Sequence, residues 1–233
     1  MSALFDQETV EELKRIFASL RRSIRDVLIV DSLEKPGTVL HCHSCPEAIQ
    51  LAKELSRVSE GKLTFEILDA AAGRRYRPRY YPAFIYGTKT GNVRYYGLPY
   101  GQEFAPFIYV HEYLSEGIKL PKRVVEEVES IDVPLHIKVF VTPECPYCPL
   151  VVDFLNQVGI VNSNFIVETI EAFEHPLEAD KYGVMYVPYI AITRVEDYEV
   201  YGAKPIAVIP GYAPNEEILE VIKKASRKVA GRS

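Results

Sequence analysis

All four cysteines of this 233-residue chain fall in two Cys-x-x-Cys pairs, Cys42–Cys45 and Cys145–Cys148, 103 residues apart. Each pair lies between a short apolar run of strand character (27–30, 137–141) and an apolar run with helical spacing (46–55, 150–158). The flanking pattern also recurs. Both halves read helix, strand, Cys-x-x-Cys, helix, strand, helix or turn, proline-led strand, second strand, glycine, helix. Pro82 follows Cys45 by 37 residues and Pro188 follows Cys148 by 40. The halves differ most after the proline: Gly97 comes 15 residues beyond Pro82, Gly211 23 beyond Pro188. The extra eight residues fall around 203–208, in a hairpin expected between strands at 189–192 and 199–201. The fold class is therefore α/β, with a repeat of about 110 residues.

Composition narrows the function. Apolar residues make up 48% of the chain and the net charge is −5, enough for a core and without the basic excess of nucleic-acid binders. The Arg-rich stretch 74–79 reads as a solvated turn. The N-terminus lacks a basic segment followed by an apolar one, and no apolar run approaches the roughly 20 residues of a membrane span. A cytoplasmic protein without membrane attachment is expected. Close cysteine pairs inside a cell point to redox chemistry or metal binding. Zinc-ribbon pairs usually lie about 15–20 residues apart, so these two are not expected to share an ion, and no metal ligands are assigned. Few Asn and Gln beside abundant Glu, Lys and Arg suggest a thermophile.

Taken with these spacings, the stretches 140–149, 182–188 and 93–104 resemble the tandem thioredoxin-fold protein disulfide oxidoreductases of hyperthermophiles, also described as glutaredoxin-like proteins. The resemblance spans nearly the whole chain. It implies two thioredoxin-like units, 1–118 and 119–233, each a central mixed β-sheet flanked by helices. It implies thiol–disulfide exchange on protein substrates, with redox-active disulfides instead of a bound cofactor, and a flavoprotein resembling thioredoxin reductase as electron donor. It also implies that Pro82 and Pro188 are cis and lie beside the cysteines, with Tyr81 and Val187 presenting backbone to a substrate peptide. An X-Pro bond reaches cis at only about 0.5–1 kcal/mol.

The chemistry follows from the helix starts. A thiolate attacks a disulfide, and the exposed N–H groups and dipole at a helix N-terminus favour the thiolate. Cys145 and Cys42 are the expected nucleophiles, Cys148 and Cys45 the resolving thiols. The spacers tune them. Pro146 suits a helix start, beside Tyr147. In the first pair, His43 next to Ser44 either stabilises the Cys42 thiolate when protonated or is an exposed spacer. His41 is expected to be structural. Counting back from each motif to the position where thioredoxins keep a buried acid finds Pro36 and Val139, so neither site is expected to have one. Glu168 and Asp69 are weak candidates as proton carriers. Two further functional readings stay open: an electron-transfer module between a flavin disulfide reductase and a peroxiredoxin, in which the first unit has typically lost its cysteines, and a zinc- or peptide-binding module.

Overall fold

A computed structural model describes residues 4–38 and 42–231. The first half holds α1 (Gln7–Ser19), β1 (Ile24–Val30), α2 (Cys45–Val58), β2 (Leu63–Asp69), β3 (Ala83–Ile85), β4 (Val93–Tyr96) and α3 (Phe104–Glu116). The second holds α4 (Lys122–Glu129), β5 (Leu135–Val141), α5 (Cys148–Val161), β6 (Phe165–Glu171), α6 (Pro176–Tyr182), β7 (Tyr189–Arg194), β8 (Ala207–Pro210) and α7 (Asn215–Val229). In each half the strand before the cysteines pairs in parallel with the strand after the following helix, and antiparallel with the proline-led strand. The proline-led strand then pairs antiparallel with the next.

The two four-stranded arrays are joined edge to edge. β4 runs parallel to β6, giving one sheet in the order β2-β1-β3-β4-β6-β5-β7-β8. Asn92 pins this joint. Its side-chain amide donates to the carbonyls of Gly159 and Phe165, and its own carbonyl accepts the Val167 N–H. Strand alternation sends Leu28, Val30, Val139 and Val141 into a large core with α2, α3, α5 and α7, which also contains all four cysteines. The other face, with Ile29, Ile85, Tyr96 and Phe140, packs against α6.

At the joint this second face is polar. Glu168 on β6 accepts from His136 (2.7 Å), Tyr96 and Tyr198 (3.0 Å each), with Arg94 3.9 Å and Arg79 4.0 Å away. Burial alone would raise its pKa, but His136 and then Arg94 and Arg79 hold it well below the carboxylate range. Lys138, buried on β5, donates to Glu178 and to the Tyr182 hydroxyl. A charge taken out of water must be paired and hydrogen-bonded, and this network pairs its charges across the two halves.

Two local expectations change. Residues 199–201 are not a strand. β7 pairs with Ala207–Pro210 instead, and the intervening chain drops Tyr198 into the polar joint. The Arg-rich stretch is solvated only in part: Arg74, Arg75 and Arg77 are exposed, but the Arg79 side chain is buried against Glu178 at 3.2 Å. Among the described residues, no helix is long and apolar enough to cross a membrane.

Candidate redox sites

Both cysteine pairs are disulfide-bonded, with Cα–Cα separations of 5.4 Å and 5.5 Å. In each, the second cysteine is the first residue of a helix and a proline follows it, where a missing N–H costs no helical bond. Cys145 is 7% exposed and Cys148 fully buried; Cys42 is 3% exposed and Cys45 fully buried. The first cysteine of each pair is thus the less deeply buried residue. The Cys148 N–H donates to Cys145 Sγ at 3.1 Å, one of the backbone donors that a helix start leaves unpaired.

Tyr81–Pro82 and Val187–Pro188 are both cis. Tyr81 and Val187 pack against the core that holds the sulfurs. Around the second site, Pro146 and Tyr147 are exposed, Tyr147 stacks on Tyr212 with centroids 5.3 Å apart, and Met185 and Tyr186 stand exposed just before the cis bond. At the first site His43 is exposed and Ser44 half-buried. His41 lies outside the described residues.

The first site is built by both halves. A groove of about 910 Å³ is lined by Cys42, His43 and Tyr81, and from the second half by Phe173, Leu177 and Tyr201. Ser44 Oγ donates to the Glu174 carboxylate, which also accepts the Leu98 N–H at 2.6 Å. His175 lines the same groove; burial pushes its pKa down to about 4, so the ring is neutral near pH 7. From Ser44 a line of acids runs toward the other dithiol. The Glu174 N–H donates to Glu171, and Glu171 senses Glu174 and Glu144, the neighbour of Cys145. Burial lifts Glu171 to about 7. Burial, then the charge of Glu171, lifts Glu103 to about 8.

Pro36 and Val139 stand where the count puts them, but at the first site a buried acid lies beside the sulfurs from another position. A carboxylate oxygen of Asp31 and the sulfurs of Cys42 and Cys45 all lie within 4.8 Å of one another, and Asp31 is buried. Counting back from Cys42 misses it because Cys42 follows the end of β1 by twelve residues, whereas Cys145 follows β5 by four. Another buried acid, Asp26, does lie in β1, bonded to His111 at 2.8 Å. In the second unit Val139 is buried in apolar core. There the first half reaches the segment before the motif through its backbone: the Gln102 N–H donates to the Pro143 carbonyl, two residues before Cys145. Glu168 serves the joint, and Asp69 accepts the Ala72 N–H at 2.8 Å in a turn.

Comparison with known proteins agrees with this architecture. The model of a thioredoxin domain matches residues 135–207. A protein disulfide oxidoreductase from Aeropyrum pernix superposes with a TM-score of 0.79 at 24% identity, covering 97% of this chain and 94% of that one. The NTD_N/C domain of alkylhydroperoxide reductase AhpF from Enterococcus faecalis superposes with a TM-score of 0.72 at 21% identity, covering 93% and 98%. The corresponding alkyl hydroperoxide reductase protein of Staphylococcus epidermidis is 26% identical over 111 residues, 47% of this chain and 21% of that protein. The chain spans about a fifth of the length of the curated relatives it matches. The fold is a tandem of two thioredoxin-like units, each carrying a Cys-x-x-Cys disulfide.

Proposed function

We propose that the chain is a protein disulfide oxidoreductase acting through both dithiols, with units divided near residues 118–119. The observation that carries this reading is the duplicated site: a buried cysteine opening a helix, a more accessible cysteine three residues before it, and a cis X-Pro bond in the same unit. The Cys145 thiolate attacks a substrate disulfide, forming a mixed disulfide and releasing one substrate thiolate, which takes a proton. Cys148 then attacks Cys145 Sγ, closing the internal disulfide and releasing the second substrate thiol. The reverse sequence oxidises a dithiol, and attack by another substrate thiol on the mixed disulfide isomerises it. Cys42 and Cys45 act likewise. The backbone at Tyr81 and Val187 receives the extended substrate, and the exposed Phe173, Leu177, Met185 and Tyr186 favour chains that expose apolar residues. A thioredoxin-reductase-like flavoprotein in the cytoplasm would return the dithiols to the reduced state.

Insulin reduction with Cys→Ser variants tests this. Loss of activity in Cys42→Ser/Cys145→Ser is expected, with the larger single loss in Cys145→Ser. Full activity in the double variant would overturn the reading. The likeness to AhpF favours a second reading, a relay between a flavin disulfide reductase and a peroxiredoxin. Peroxide turnover in a reconstituted mixture, with no insulin reduction, would select it.

A further inference from the structure

We propose that the first dithiol, when reduced, is a redox-gated zinc site in which Cys42, Cys45 and Asp31 supply three ligands. The three donor atoms already lie within 4.8 Å of one another, and all three residues are buried. Among the described residues no other group of His, Cys, Asp and Glu meets that condition. The second dithiol, on the same fold, has no third donor of this kind among those residues, so the property belongs to the inserted segment after β1 and not to the Cys-x-x-Cys turn alone.

That segment is shaped around the acid. Asp31 Oδ1 accepts the N–H groups of Ser32 (2.8 Å) and Gly37 (2.9 Å). Gly37 has φ +88°, and a Cβ there would lie 3.2 Å from the Cys42 carbonyl and 3.5 Å from the Pro46 ring. One loop residue therefore ties the carboxylate to the backbone of the motif. Hydrogen bonds of this kind orient ligating carboxylates in metal centres. Zinc takes thiolate and carboxylate ligands, and three protein ligands leave a fourth position for water. With Zn–S near 2.3 Å, tetrahedral geometry puts the two sulfurs about 3.8 Å apart, a spacing reached by side-chain rotation once the disulfide opens. A buried dithiolate beside a carboxylate concentrates negative charge, and a divalent cation neutralises most of it.

The chemistry balances without another reagent. On loading, Zn²⁺ replaces the two thiol protons, which pass to solvent. On oxidation by a substrate disulfide, the two thiolates give up two electrons and form the Cys42–Cys45 bond. The substrate becomes two thiolates, which take two protons from solvent, and the ion, left with Asp31 alone, departs. Bound zinc thus withholds this dithiol from exchange until a disulfide displaces it.

The test uses the full chain as Cys145→Ser/Cys148→Ser, reduced with a phosphine and desalted without oxygen. It is titrated with Co²⁺ as a spectroscopic probe and then with Zn²⁺ in competition. One equivalent of Co²⁺ with thiolate charge-transfer and tetrahedral d–d absorption is expected, displaced by Zn²⁺ and absent after oxidation. Asp31→Asn should weaken binding about tenfold or more and alter the d–d bands. The complementary Cys42→Ser/Cys45→Ser chain should bind at least as weakly as Asp31→Asn. Equal binding by the two dithiols overturns the proposal, as does unchanged binding in a folded Asp31→Asn. If Asp31→Asn does not fold, the comparison of the two dithiol chains decides. Insulin reduction by metal-free wild type is measured separately, so failure of this inference is distinct from failure of the oxidoreductase reading.

Discussion

Glu103 should make the protein less stable as pH rises through neutrality. Its carboxylate is fully buried, neither oxygen has a hydrogen-bond partner among the described residues, and the Tyr86 and Tyr95 hydroxyls are likewise unpartnered. Burial, with Glu171 adding to it, lifts the pKa from 4.5 to about 8. Between those values the folded chain holds a proton that the unfolded chain has released, so folding weakens with increasing pH. Each pH unit is worth about 1.4 kcal/mol, giving a cost of about 3 kcal/mol at pH 7 that disappears below pH 4.5. Glu103→Gln keeps the shape and removes the ionisation. The variant should match wild type near pH 4.5 and gain on it steadily to about pH 8. The gain at pH 7 would raise the melting temperature by about 6–12 °C for a chain of this size. Denaturant titrations at half-unit steps from pH 4.5 to 8.5 measure the difference directly. Parallel stability curves would refute the reasoning, because they would mean that Glu103 ionises in the fold at an ordinary pKa.

Gly101 has φ +59°, and a Cβ there would lie 2.5 Å from the Pro143 carbonyl oxygen. Gly101→Ala should cost about 2–3 kcal/mol, from the left-handed backbone and the strained Gln102–Pro143 bond, read as a lower denaturation midpoint. Glu174→Gln removes a negative charge from the groove at Cys42 and should lower the Cys42 pKa. Thiolate absorbance in the Cys145→Ser/Cys148→Ser background measures this, and an increase would contradict it. Asp31 and Glu174 oppose thiolate formation at the first site, whereas the Cys148 N–H favours it at the second. The first pair should therefore have the lower reduction potential in glutathione titrations of the two single-dithiol chains, and equal potentials would remove the argument. Glu168→Ala leaves buried cations at the joint and should cost about 3–5 kcal/mol near neutral pH. Its folded pKa is depressed, so wild type should lose this advantage only as pH falls below about 4.

The parts of the molecule legible in the sequence are those set by neighbours in the chain. The cysteine pairs, the helices they open and the proline-led strands each need only a few adjacent residues, and their spacing repeats. Lys138 lies in the strand expected over 137–141. Its burial depends on Glu178 and Tyr182, some 40 residues away. Tyr198 falls where period-two alternation suggests a hairpin, but bonds to Glu168 and the Arg77 carbonyl outweigh strand propensity there. Asp31 escapes a fixed count because an insertion moved the motif away from its strand. Glu174 carries no local signal at all: it stands beside the dithiol of the opposite unit, and only the parallel β4–β6 pairing brings it there.

That pairing also sets how the chain can be divided. A cut in the linker near residues 117–121 breaks no element, yet neither fragment would be self-sufficient. One would carry Arg79 and Arg94 without their carboxylates, the other Glu168 and Glu178 without their guanidinium partners. Each would also present an unpaired strand of matching direction. The fragments are thus built to find each other. Co-expressed halves should reassemble into an intact pair of dithiols, whereas either half alone would have to dimerise on the exposed strand or aggregate.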